Sequence, residues 1–325
     1  MIEVLRAAPY FSIQDLGRTG FRSQGMPLAG AMDAEAVSLA NILVGNPRGA
    51  AAFEWALGPA VLRFGDDGVI AAAAPGAEVV LDGEPLPSWT ATPVAKGSEL
   101  TLGVPRTTRF GYLAVAGGVD VPVVFGSRST YLRGGFGGLD GRLLRKGDRL
   151  GIASRVDLDP VPDGPARDQS EGPKLGMPLP EELLPSTTAS IRVLQGPQAS
   201  FFGDEAWGHL EGGDYAVSPV SDRMGYRLSG PKLSHSGPPS LLSEAVCPGA
   251  IQVPDGGTPL VLMPDGPTVG GYPKIAVVIS ADLRHLAQMA PGSRPRFTRI
   301  QLSDARDAGN AVTDRLNRAS EWVKG

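Results

Sequence analysis

Glycine and proline punctuate this chain from end to end. They account for 44 and 30 of its 325 residues and are spread along it rather than gathered in one tract. Both exceed average usage. A chain interrupted this often reads as many short elements joined by tight turns, the pattern of β-rich barrels and sandwiches. The expected fold is therefore mainly β with short helices, a β/α+β chain. At 325 residues it exceeds what one hydrophobic core usually serves, so two domains are expected.

Short apolar runs divided by turns predict strands at "AVLRF", "GVIAAAAPG", "EVVLDGEPL", "ELTLGV", "RFGYLAVAGG", "GDRLGI", "SIRVLQG" and "GSRPRFTRI". Asp-Gly inside "LDGEPL" is a hairpin signal. Residues 33–45 predict a helix. Ala36, Leu39, Ala40, Leu43 and Val44 repeat at helical spacing, Asp33 can cap the start, and Gly45 can take the left-handed exit. Further helices are expected around Ala206 and Leu210, from Ser280, and over 303–325, where Val312, Leu316, Ala319 and Val323 share a face. Seven prolines between 154 and 189 mark a linker. The expected organisation is a barrel subdomain over 1–153, a linker over 154–189, a second barrel subdomain over 190–302 and a terminal helix over 303–325.

A net charge of −4 argues against nucleic acid or an anionic membrane as the main partner. The single cysteine, Cys247, excludes an intramolecular disulfide, fits a reducing compartment, and reads as a buried small hydrophobe. The first residues lack a signal-peptide run, and no segment approaches the eighteen or so apolar residues of a membrane span. A soluble, cytoplasmic protein is expected.

One charged motif occurs twice. "QDLGRTGFRSQG" carries Arg18, Gly20, Phe21, Arg22 and Gly25, and "SDRMGYRLSG" carries Arg223, Gly225, Tyr226, Arg227 and Gly230. Weaker echoes keep the same order: "EWALGPAVLRF" with "EAVCPGAIQV", and "KGDR" with "PGSR". Conserved order favours a degenerate duplication over chance. Arginine offers a planar fork suited to carboxylate or phosphate, and glycine lets backbone approach a ligand. The competing structural reading is an ion pair locking each turn, Asp15 with Arg18 and Asp222 with Arg223.

Two other loops hold candidate chemistry. "DGPTVGGYPKIAVV" places Thr268, Gly270, Gly271, Tyr272 and Lys274 between apolar runs, where exposed N–H groups and a cation can hold an anion or polarise a carbonyl. "GSRSTYLRGGFGG" offers Ser127, Arg128, Ser129, Thr130 and Arg133 as a phosphate cradle. Neither the P-loop nor the Rossmann fingerprint is present. His209, His235 and His285 are scattered with no metal-ligand spacing, and His235-Ser236 lacks a nucleophile elbow.

The motifs "QDLGRTGFRSQGMPLAGAMDAEAVSLANILVGN", "GSRSTYLRGGFGGLDGRLLRKGD", "SDRMGYRLSG", "GAIQVPDGGTPLVL" and "TVGGYPKIAVVISADL" occur in order. Together they resemble the allophanate hydrolase subunit 2 family, which takes in the C component of ATP-dependent 5-oxoprolinase, the antagonist of a sporulation kinase inhibitor and part of the carboxyltransferase region of urea carboxylase. The resemblance covers about residues 3–300.

It implies duplicated cyclophilin-like β-barrel subdomains and a separately encoded smaller subunit as partner. It also implies an ATP-coupled reaction at a planar amide, with 5-oxoproline the leading substrate. Carboxyl transfer to urea or a related amide is the alternative; it would need biotin on a separate carrier, since no Met-Lys-Met attachment sequence occurs here. A non-catalytic role, sequestering the smaller subunit, is the third reading. On this basis Arg18 and Arg223 are expected to hold anionic oxygens, oriented by Asp15 and Asp222. Tyr226 and Tyr272 would contact the amide, and Lys274 would stabilise developing charge. Glu244 would act as general base if buried. Ser127, Arg128, Thr268, Gly270 and Gly271 complete the expected binding set. The tyrosine at 226, where the first copy has Phe21, places the chemistry nearer residues 222–226.

Overall fold

The computed structural model describes residues 1–153, 173–186, 190–213 and 215–324. The chain is mainly β, as its punctuation requires, with four α-helices among these residues: α1 (Ala34–Leu43), α2 (Asp204–Gly212), α3 (Ser280–Ala287) and α4 (Leu302–Lys324). Every strand predicted above from an apolar run is present. The Asp-Gly hairpin is present too: Asp82 and Gly83 both take positive φ, 51° and 91°, and Leu81 pairs with Glu84 across the turn. Positive φ at both central residues suits the right-handed twist of the flanking strands. Gly45 exits α1 at φ 80° and donates to the Ile42 carbonyl, as its position after the helix predicts. Among the described residues no helix is long and apolar enough to cross a membrane.

The described residues form two compact units. The first comprises 1–17, 34–185 and 313–325; the second comprises 18–33 and 186–312. Most of the predicted linker, 154–172 and 187–189, lies outside the described residues. Within the proline-rich stretch, Leu179 and Leu183 are buried, and the Gly176 and Leu179 N–H groups donate to Ala91 and Trp89 carbonyls of the first unit.

In the first unit a seven-stranded and a five-stranded antiparallel sheet enclose one apolar core. Ile2, Val4, Leu62 and Leu100 come from the first sheet, and Phe11, Ile13, Phe53 and Leu113 from the second. The other face of the five-stranded sheet is polar yet buried. There Tyr10 and Tyr112 donate to Glu54 at 3.1 and 2.8 Å, and Gln14 donates to Ser12 at 3.1 Å. The end of α4 packs on this unit: Arg315 pairs with Glu35, Arg48 donates to Asn317 at 2.7 Å, and Lys174 lies 4.9 Å from the Trp322 ring. The face predicted for α4 is the buried one, with Ala319 and Val323 inside.

The second unit is built on a seven-stranded sheet. Its strands run in the order Ala216–Val217, Gly225–Ser229, Leu260–Leu262, Ala250–Gln252, Lys274–Val278, Ser190–Gln195 and Arg296–Arg299. Only the last pair is parallel. A two-stranded ribbon, Glu244–Ala245 with Val269–Gly270, stands beside it. Helix α3 is tied to the sheet by Arg192, whose side chain donates to the fully buried Asp282 at 2.6 and 2.9 Å.

Next to this pair sits His285. Burial, and the neighbouring Arg284, lower its pKa to about 4. The unfolded chain takes up this proton near pH 6.5 and the folded one near 4, so stability falls as pH drops through that window. We expect a loss of about 3 kcal/mol across it from this residue. His285→Gln removes that slope. Urea unfolding followed by Trp207 fluorescence, run at pH 7 and at pH 4.5, checks it; equal slopes for the two proteins would contradict the assignment.

Candidate functional site

The two Arg-Gly-aromatic-Arg motifs do not fold alike. Arg22–Gln24 is a 3-10 turn, whereas Gly225–Ser229 is a strand. Both belong to the second unit, and they are fastened there rather than set at equivalent corners. Arg223 donates to Asp265 through Nε at 3.0 Å and Nη2 at 2.7 Å, and through Nη2 to the Gly30 carbonyl at 2.5 Å. Backbone bonds from Ala29 to Pro264 and from Asp265 to Arg223 complete the lacing. Arg223 is thus a buried structural fork rather than a ligand for substrate oxygens.

Other expected roles are corrected by burial and by partners already in place. Tyr226 is fully buried, and its hydroxyl donates to the carbonyl of Ala287 at 2.7 Å. That carbonyl lies in the last turn of α3, where acceptors lack helical partners, so the hydroxyl secures a helix end. Asp222 does not orient Arg223. It is exposed and accepts from its own turn, the N–H groups of Met224 and Gly225. Arg18 is fully buried; its backbone N–H donates to the Leu28 carbonyl and its Nη1 to the Ala29 carbonyl at 3.4 Å. Cys247, expected inside, is exposed. His235 bonds the Val253 carbonyl and packs on Phe202.

The serine-rich loop of the first unit is an anion cradle whose anion is the chain's own. The Asp15 carboxylate accepts from Ser127 Oγ at 2.6 Å, Ser129 Oγ at 2.5 Å, and the Arg128 and Gly17 N–H groups at 2.6 and 2.8 Å. With these donors spent, the Ser127 hydroxyl and the Arg128 N–H serve Asp15 rather than an added phosphate, and Arg128 Nε donates to the Val121 carbonyl at 3.0 Å.

A different group of residues is brought together on the second unit. In the sheet, Gln252 stands opposite Lys274; in the ribbon, Glu244 stands opposite Gly270. Lys274 is 2% exposed, and its ammonium pairs with Glu244, whose side chain is 43% exposed. Gln198 donates to the same carboxylate at 2.7 Å and accepts from the Lys274 N–H at 3.2 Å. The Lys274 hydrogen bond and charge, with Gln198, hold the Glu244 carboxyl below the usual range. Glu244 is therefore ionised at neutral pH and accepts; the buried base of raised pKa is not what the structure provides. Tyr272 and Val269 are exposed, as is Leu242 two residues before Glu244, while Thr268 is buried and accepts from Val246 N–H through its carbonyl. Gly271 accepts from Leu241 N–H.

Gly270 is required by a close approach. A Cβ there would lie 2.5 Å from Gln252 Nε2 and 3.3 Å from Val246 Cγ1. Arg22 reaches the same place, donating through Nη2 to the Val246 carbonyl. Arg22 and Lys274 both pull the Cys247 thiol down, but desolvation of its sulfur outweighs them and pushes it up, leaving it neutral. The constellation is therefore Lys274, Glu244, Gln198, Gln252, Arg22 and the Gly270–Gly271 backbone. The sequence pointed to Lys274, Glu244, Gly270 and Gly271. It missed Gln198, which lies in a loop with no signal, and Gln252, whose polarity inside the apolar run "AIQV" was the available clue.

Comparison with known proteins gives this site a context. A family model for the carboxyltransferase domain, subdomains A and B, matches residues 24–299. The C component of 5-oxoprolinase from Escherichia coli K12 is 40% identical over 305 residues, covering 94% of this chain and 93% of that protein. The urea amidolyase of Saccharomyces cerevisiae is 33% identical over 322 residues, again 94% of this chain but 17% of its own. Among solved structures, the urea carboxylase of Kluyveromyces lactis superposes with a TM-score of 0.87 at 30% identity, over 98% of this chain and 29% of that one.

Proposed function

This chain belongs to the carboxyltransferase family of subdomains A and B, and from that premise we propose that it is the larger subunit of a two-subunit, ATP-dependent 5-oxoprolinase-type enzyme. The observation that carries the reading is the Lys274–Glu244 pair, set in a cluster of amide donors on the second unit. A planar amide fits it. The Lys274 ammonium has three N–H donors and spends one on Glu244, so it can also donate to an amide carbonyl and stabilise the oxyanion that develops on attack. Ionised Glu244 can accept the amide N–H. The match spans nearly the whole length of the bacterial 5-oxoprolinase component and a small share of the urea enzymes, and identity is higher to the former, which supports the 5-oxoprolinase reading.

The partner we propose is the smaller subunit, and exposed Leu242 (94%), Val269 (57%) and Tyr272 (43%) supply apolar surface for it to cover. ATP coupling is a property we assign to the complex. No step on this chain is routed through ATP; in the 126–138 loop the Ser127 and Ser129 hydroxyls and the Arg128 N–H already bond Asp15. The family match also supports a second reading, carboxyl transfer to a urea-like amide from a separate biotin carrier.

The test is to co-express the chain with the smaller subunit and measure glutamate and ADP from 5-oxoproline and ATP. Release is expected from the complex and from neither subunit alone. An intact complex without turnover overturns the proposal, and release of carboxylated product with a biotin carrier supports the second reading.

A further inference from the structure

Among the buried side-chain donors of the second unit that have no hydrogen-bond partner in the described residues, two lie on either side of Val246. Gln252 is 3% exposed, and its Nε2 is one of them. The other is Nη1 of Arg22, whose second terminal nitrogen is engaged by the Val246 carbonyl. Leaving a buried donor unsatisfied costs on the order of 1–3 kcal/mol, so each calls for an explanation. Val246 links them: Arg22 donates to its carbonyl, while Gln252 Nε2 and Val246 Cγ1 both lie against Gly270, where only a residue without a Cβ fits.

Charge defines what could satisfy them. Lys274 and Glu244 neutralise one another. The Cys247 thiol is neutral. Arg22 makes no ion pair among the described residues and bonds only a backbone carbonyl. The cluster therefore carries one uncompensated positive charge and two free N–H donors. A planar guanidinium edge and a carboxamide N–H suit the two oxygens of a carboxylate.

We propose that Arg22 and Gln252 hold the carboxylate of a small monoanionic amide, so that the site selects carboxylate-bearing amides over neutral ones such as urea. This rests on the reading of the Lys274 cluster as the amide site and adds a second point of attachment to it. Lys274 meets the amide carbonyl while Arg22 and Gln252 meet the carboxylate, and the ring between them is oriented by both. The role of carboxylate holder thereby passes from Arg18 and Arg223, which bond the protein itself, to the second arginine of the first motif.

The experiment compares two probes that differ only at this group, L-5-oxoproline and 2-pyrrolidinone. Their binding to the full chain, alone and in complex with the smaller subunit, is measured by ligand-observed NMR and calorimetry without ATP. A charge-assisted contact predicts at least about tenfold tighter binding of the carboxylate. Arg22→Met is expected to bring the ratio close to one, and Gln252→Leu to reduce it. Arg22 is half-buried in a surface turn, so its variant decides the matter if the buried Gln252→Leu fails to fold. Acetate and phosphate run as competitors distinguish an organic carboxylate from an inorganic oxyanion. Equal binding of the two probes, no binding of either at millimolar concentration, displacement by phosphate but not acetate, or a preference that survives Arg22→Met would overturn the proposal. Carboxylate preference without turnover by the complex would leave this inference standing and remove the 5-oxoprolinase reading. Turnover with a preference indifferent to Arg22 would do the reverse.

Discussion

Arg223→Met is expected to destabilise the second unit by roughly 3–5 kcal/mol, the range for breaking a buried ion pair from one side. Both partners are buried, at 6% exposure for Arg223 and 5% for Asp265. Removing the guanidinium strands the Asp265 carboxylate in a low-dielectric environment and takes a donor from the Gly30 carbonyl. The two charges partly offset their own desolvation, so replacing both is expected to cost less than replacing Arg223 alone. Arg223→Met with Asp265→Leu is therefore the informative comparison, read by urea unfolding with Trp207 of the second unit as reporter. A single-variant loss below about 1 kcal/mol would place this pair with surface ion pairs and contradict its structural role. This expectation separates a structural fork from a substrate-binding one, in which the variant would fold normally and lose affinity.

Lys274→Met is expected to lower the rate of glutamate release by about 10²–10³ while the complex still assembles, the effect of removing one preorganised donor from a developing oxyanion. Methionine matches the length of the lysine stem, and the Glu244 left behind is partly exposed, so solvent can take over its hydration. The fold is thus little affected and the loss falls on kcat. Glu244→Gln is the control. If Lys274 acted only by positioning Glu244, the two variants would lose equally, whereas direct stabilisation of the oxyanion predicts the larger loss for Lys274. Co-elution with the smaller subunit shows whether partner binding is intact. Retained turnover in Lys274→Met would remove this cluster from the chemistry.

Much of the fold was legible in the sequence because its determinants are local. The strand at Gly68–Ala73, the Asp82-Gly83 turn and the exit of α1 at Gly45 each follow from residue types within a few positions of one another. The amphipathic end of α4 was read correctly for the same reason: period 3.6 is visible in one segment. The candidate site was legible only in part. Lys274 and Gly270 stood out as a polar interruption between apolar runs, but nothing local shows that Glu244, thirty residues earlier, meets that lysine. Tyr226 misled because its hydroxyl was weighed without knowing that an unpaired helix-end carbonyl lay in front of it. Asp15 misled in the opposite sense: the loop at 126–138 has the donors of an anion site, and the anion arrives from more than a hundred residues away in sequence.

The sequence by itself determined the mainly β character, the turn positions and, through five ordered motifs, the family. Local backbone preference and side-chain periodicity need no partner to act. The tertiary structure decided which of several similar arginines is spare. Arg18 and Arg223 open the two copies of one motif, and Arg22 is the second arginine of the first copy. They differ because Asp265 and Gly30 engage the Arg223 guanidinium, Arg18 is fully buried with Nη1 on the Ala29 carbonyl, and Arg22 is half-buried with Nη2 on the Val246 carbonyl. Whether a charged group binds a ligand or the protein depends on the partners that folding places within about 3 Å, and those are set by strand register across long stretches of chain.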